Sequence, residues 1–145
     1  MVTIVKKVTF VEILLIVAIV ALLAVLGILF VNPKKQQAEY RDGQRLADMQ
    51  TIINAVYQYK WDTDKFPATI TDKQTEICKT DAPACTGMVD LSVLTNKEAY
   101  LRILPSDPLV KSINGTGYFI QLTSDKRIKI SAPHAENNIK MFIVR

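Results

Sequence analysis

The chain has little of what catalysis at a side-chain site needs. Its 145 residues include one histidine, two cysteines, five glycines and one tryptophan. No phosphate-cradling glycine loop, no Gly-x-Ser-x-Gly turn and no His-Glu-x-x-His pair occurs. His134 stands alone beside Pro133 and reads as a surface residue, not a general base. Cys78 and Cys85 have no nearby histidine to activate them, and zinc needs more ligands at closer spacing. No enzyme, metal or cofactor is expected. A concentrated positive charge is missing too. The net charge is +4, but residues 62–145 carry eleven Lys/Arg against ten Asp/Glu. A nucleic-acid binder gathers its excess on one element, and no such element stands out.

Charge is absent altogether from Ile13 to Val31, nineteen residues long. That run raises the mean hydropathy to +0.15 and needs its own explanation. It is too long for a signal-peptide core, which spans about 7–15 residues, and no small-x-small cleavage site precedes Asn32. It has no polar face at any rotation, so it does not read as the core helix of a globular domain. At about 1.5 Å per residue it reaches roughly 29 Å, close to the hydrocarbon thickness of a bilayer. We read it as a membrane span. Lys6 and Lys7 before it are balanced by Lys34 and Lys35 after it, so the positive-inside count is tied. The large C-terminal part, with both cysteines, is expected on the outer side.

Glu12 sits at the mouth of this run. A carboxylate at membrane depth costs several kcal/mol unless it is neutralised or finds a cation. Two readings stand: Glu12 stays wet at headgroup level, or it meets a positive partner inside a bundle of such helices.

Lys6-Lys7-Val8-Thr9-Phe10-Val11-Glu12, continuing into the apolar Ile13–Ala21, resembles the N-terminus of type IV pilins and type II secretion pseudopilins. The resemblance covers residues 6–61 well and the rest loosely. It implies a filament subunit polymerising through its apolar helix, with Thr9 and Glu12 in subunit assembly. It also implies leader removal between Lys7 and Val8 by a prepilin peptidase, and methylation of the new amine. Glu12 would then be neutralised by the Val8 amine of a neighbour, or by a neighbour's Lys6 or Lys7 if the leader stays. The sequence departs from the family at two places. Lys7 stands where the leader ends in Gly, and Val8 where the first mature residue is usually Phe. The other implied partners are the cytoplasmic membrane before assembly and the filament assembly machinery. After assembly the location is the cell surface. A pseudopilin, or a monomeric membrane-anchored binding module, is the alternative. Adhesion, motility, secretion and DNA uptake all remain open.

Gly27, Asn32 and Pro33 interrupt the helical pattern. They signal either a kink near Ala24–Pro33 or a second helix opened by Pro33 with Asn32 as its cap. In the resembled family, packed subunits lose helicity in this region, which Gly27 and Pro33 suit. From Lys34 to Trp61 a helix is expected, with Leu46, Met49, Ile53 and Val56 on one stripe, flanked by Ile52 and Tyr57. Asp42 and Arg45 break that stripe, so the first third of this helix is expected to be exposed. There the two would form a helix pair or contacts to another subunit.

Trp61 to Pro67 ends the helix. Residues 68–90 read as a polar connection, and outside the membrane Cys78 and Cys85 are expected to form a disulfide. Asp90–Leu104 carries a short helical pattern. Gly117–Leu122 and Arg127–Ala132 flank a turn and read as strands, with Met141–Val144 as a third. Asp107 and Asp125 are the carboxylates a calcium site would draw on, but no acidic loop gathers them. Asn114-Gly115-Thr116 fits a glycosylation sequon and more simply makes a turn. The expected class is α+β, a long N-terminal helical spine packed on a small antiparallel sheet. Residues 1–7 form a basic leader or cytoplasmic N-terminus, and 8–32 a transmembrane or filament-core helix. Residues 33–61 form an amphipathic stalk helix, and 62–145 a globular head.

Overall fold

The computed structural model describes residues 9–30, 32–136 and 140–145. It is an α+β protein. Helix α1 spans Phe10–Phe30 and α2 spans Pro33–Thr63; strand β1 follows at Thr75–Cys78. A single turn of helix, α3, occupies Ser92–Thr95, and a 3-10 turn Asn96–Glu98. Strands β2 (Gly115–Leu122), β3 (Ile128–Ala132) and β4 (Met141–Val144) complete the fold. The chain divides into two compact units, residues 1–36 and 37–145, with the boundary in the first turn of α2.

In the first unit, α1 is built from Leu, Ile, Val and Ala and presents apolar side chains all round. From Phe10 to Gly27 every side chain is exposed, and the mean hydropathy of this stretch is 3.0. It is long and apolar enough to cross a membrane. The pattern break resolves into two helices. Gly27 lies inside α1, and Pro33 takes the first position of α2, where its missing N–H costs nothing. Asn32 caps α2, its Oδ1 accepting from the Lys35 N–H at 3.1 Å.

The second unit is organised around one stripe of α2. Met49, Ile52, Ile53 and Val56 are buried in a cluster with Ile77 of β1, Tyr118 and Ile120 of β2, and Ile128 and Ile130 of β3. Leu46, expected on this stripe, is exposed. The inward positions run 45, 49, 52, 53, 56, and Leu46 stands one helical step of about 100° away. The helix stops where Asp64 turns left-handed, at φ 60°. Thr63 Oγ1 donates to the Tyr59 carbonyl at 2.8 Å, and Pro67 follows just beyond.

The sheet is antiparallel throughout, in the order β1-β2-β3-β4. In β3, Ile128, Ile130 and Ala132 point inward and Lys129 and Ser131 lie between them, the alternation expected of a half-buried strand. The β2–β3 turn places Lys126 in the left-handed region at φ 58°. There the Thr123 N–H donates to the Arg127 carbonyl at 2.8 Å. β4 pairs with β3 from Lys129↔Val144 to Ala132↔Met141.

Strand β1 was not expected, because residues 68–90 read as a connection. Only four residues long, it is held by distant partners. It pairs with β2, and the Cys78 N–H donates to the Val89 carbonyl at 2.9 Å. The expected helix over Asp90–Leu104 shrinks to one turn, since Lys97 and Glu98 both adopt positive φ.

Candidate functional site

Glu12 and Thr9, the residues placed in subunit assembly by resemblance, are joined at the start of α1. Thr9 precedes the first helical residue, and the Glu12 N–H donates to Thr9 Oγ1 at 3.3 Å. In return Glu12 Oε2 accepts from the Thr9 N–H at 3.0 Å and from the Thr9 hydroxyl at 3.2 Å. This is a reciprocal capping box, two helix-end donors satisfied by two side chains three residues apart. It also sets a carboxylate at the positive end of the helix dipole. Glu12 therefore has a local role that requires no neighbour, a role its Thr-x-x-Glu spacing encodes. Lys7 and Val8, the expected processing site, lie outside the described residues, as does Lys6.

The expected disulfide is present. Cys78, at the end of β1, is bonded to Cys85, with Cα atoms 5.5 Å apart. His134 is exposed in the turn after β3. Thr116 of the sequon is buried, and its hydroxyl donates to the Ile77 carbonyl at 2.9 Å. Among the described residues no group of three metal-ligating side chains is gathered. Asp125 is held below the usual carboxylate range by a hydrogen bond from Thr123 and then by Arg127. Its partner Arg127 Nε is 2.6 Å away.

The expectation that Asp42 and Arg45 are exposed is wrong. Arg45 is fully buried and Asp42 nearly so. Arg45 meets Asp107 side-on, Nε to Oδ2 at 2.6 Å and Nη2 to Oδ1 at 3.1 Å. Its Nη1 reaches Asp42 at 2.8 Å and Glu136 at 3.1 Å. Arg41 grips both oxygens of Glu136 at 2.6 Å, and the Glu136 N–H donates to Asp42 Oδ1 at 2.9 Å. The stripe on α2 does not fail before Leu46; it changes from apolar to ionic. A guanidinium's five donors in a planar fork can satisfy several carboxylates at once. Here they tie α2 to the loops at 107 and 136.

Gly117 makes that arrangement possible. Its φ is +81°, and a side-chain carbon there would lie 2.9 Å from Asp107 Cβ. The bare backbone lets the loop lie against β2, where the Asp107 N–H donates to the Thr116 carbonyl at 2.8 Å. The charges respond to one another. Hydrogen bonding from Arg41, then from Arg45, holds Glu136 down at about 2. Hydrogen bonding to Asp107 raises Arg45. Next to the network, burial raises Asp48, which accepts the Tyr118 hydroxyl at 2.7 Å, and burial likewise raises Tyr118.

No protein family, curated protein or solved structure matches the chain. What is established is an α+β unit, a disulfide and an exposed apolar helix with the dimensions of a membrane anchor or signal sequence.

Proposed function

We propose that the chain is the structural subunit of a type IV pilus-like filament, held in the cytoplasmic membrane by α1 before assembly. The supporting observation is an apolar helix, exposed over its whole Phe10–Gly27 length, that carries one carboxylate at its mouth and leads in sequence to a disulfide-bonded α+β unit. Assembly transfers α1 from lipid into a bundle of identical helices, one apolar surrounding for another, so little hydrophobic energy opposes it. Within such a bundle a charge costs several kcal/mol unless paired. A neighbour's Val8 amine, or its Lys6 or Lys7, supplies the counter-ion to Glu12 and fixes the axial stagger. The buried Arg45 network keeps the second unit rigid, as the outer wall of a filament under tension requires.

A second reading has its own support. The Thr9–Glu12 capping box satisfies Glu12 within one chain, which suits a monomeric anchor for an outer binding module. Electron microscopy of material sheared from cells expressing the chain, with mass spectrometry of its N-terminus, separates the two. Threads of uniform width built from this chain support the filament. Membrane-bound monomer, with no threads at any expression level, leaves the anchor.

A further inference from the structure

The C-terminal half of α2 carries a second stripe, anchored to the core at Tyr57 and otherwise facing out. Asn54, Tyr57, Gln58 and Trp61 fall at i, i+3, i+4 and i+7 and so share one helix face. Together with Arg145, beyond β4, they line a shallow cavity of about 240 Å³. Trp61, the only tryptophan in the chain, is 77% exposed. Most of its indole is open to water, at some cost to a monomer, while the neighbouring lining side chains are held in place. Arg145 Nη1 donates to Asn54 Oδ1 at 2.6 Å, and its guanidinium carbon lies 5.3 Å from the centre of the Tyr57 ring. The Tyr57 hydroxyl donates to the Arg145 carbonyl. Tyr57 is braced edge-on by Phe66, with ring centres 5.4 Å apart, and Lys60 sits 4.3 Å over the Phe66 ring.

We propose that this cavity is a saccharide-binding subsite, taking one pyranose ring of a neutral glycan. The chemistry fits the two faces of a sugar. The indole offers a flat apolar surface for the C–H face of the ring. The Gln58 and Asn54 amides and the Arg145 guanidinium offer planar donors and acceptors for its hydroxyls. A polyanion fits less well. Arg145 is the one charged lining residue and is already bonded to Asn54, while Asp62 and Asp64 follow Trp61 directly. The inference does not depend on polymerisation.

Because Trp61 is the only indole, its fluorescence reports the site directly. The full chain, in a zwitterionic detergent free of sugar headgroups, is titrated with maltotriose, cellotriose and the N-acetylglucosamine trimer, up to about 10 mM. Saturable change in Trp61 emission with at least one of them is expected, weakened about 10-fold in Gln58→Ala. Saturation-transfer NMR on the sugar, which needs no indole, is expected to lose contact in Trp61→Ala and keep it in Trp61→Phe. Four outcomes overturn the proposal. They are no response to any of the three sugars, an unaltered response in Gln58→Ala, sugar contact that survives Trp61→Ala, and protection of Trp61 by other copies of the chain that sugar cannot compete away.

Discussion

Replacing Arg45 by Met tests the reading of the second unit at its most demanding point. Both Arg45 and the Asp107 side chain are at 0% exposure. Arg45→Met keeps roughly the volume and helix propensity of the side chain. It removes both contacts to Asp107, at 2.6 and 3.1 Å, and those to Asp42 and Glu136. A buried carboxylate left without its partner costs about 3–5 kcal/mol, roughly a fifth or more of the stability of a typical domain. The double variant Arg45→Met/Asp107→Leu removes both charges of that pair and should recover part of that loss, with Asp42 still deprived of the Arg45 guanidinium. It leaves the Leu109 N–H, which donates to Asp107 Oδ1 at 2.8 Å, without an acceptor, at a residual cost of about 1–3 kcal/mol. Urea unfolding of the full chain in micelles, followed by near-ultraviolet circular dichroism of the buried Tyr118, measures each variant. The expected sign is that the double variant is more stable than Arg45→Met. An Arg45→Met cost below about 1 kcal/mol, or losses that simply add, would refute the claim that a buried ionic network holds α2 to the 107 loop.

Three further outcomes follow from the same structure. Glu136 is held at about 2, below its ordinary 4.5. Its contribution is therefore complete above about pH 4.5 and fades as pH falls toward 2. Glu136→Gln should be less stable than the parent at neutral pH, with the gap mostly closed by pH 2 and gone below it; a pH-independent difference contradicts this. Replacing Cys78 and Cys85 together by Ser opens the eight-residue ring and should cost about 2.5 kcal/mol on the loop-entropy account, read as a lower urea midpoint. Gly117→Ala should destabilise strongly, because it meets both an unfavourable φ and the Asp107 Cβ. A crystal structure of that variant with the 107 loop unmoved would show the approach to be less tight than described.

Much of this architecture was legible in the residues. The apolar run follows from composition, the core positions Met49, Ile53 and Val56 and strand β3 from periodicity, and β2 and β4 from short apolar runs near turns, signals that each lie within a few residues of sequence. What escaped was set by distant partners. Arg45 and Asp42 looked like surface charges since nothing local shows that Asp107, 62 residues on, and Glu136, 91 on, arrive to neutralise Arg45. The one available signal was their position. Asp42 and Arg45 continue the stripe of Met49 and Val56, and a charge on a core stripe implies a buried partner elsewhere. β1 escaped for a similar reason, four residues being too few for alternation to register. At Glu12 the Thr-x-x-Glu spacing held a second meaning, a capping box, beside the one suggested by family resemblance.

Those two meanings of Glu12 separate in a single comparison, Glu12→Gln beside Glu12→Ala, scored by electron microscopy of filaments and by membrane fractionation. Glutamine keeps the cap, since its amide oxygen still accepts from the Thr9 N–H, but carries no charge; alanine loses both. The filament account predicts that the parent forms threads and that neither variant does, while both still insert into the membrane. Abundant threads from Glu12→Gln would contradict it, leaving the carboxylate as nothing more than the start of a helix.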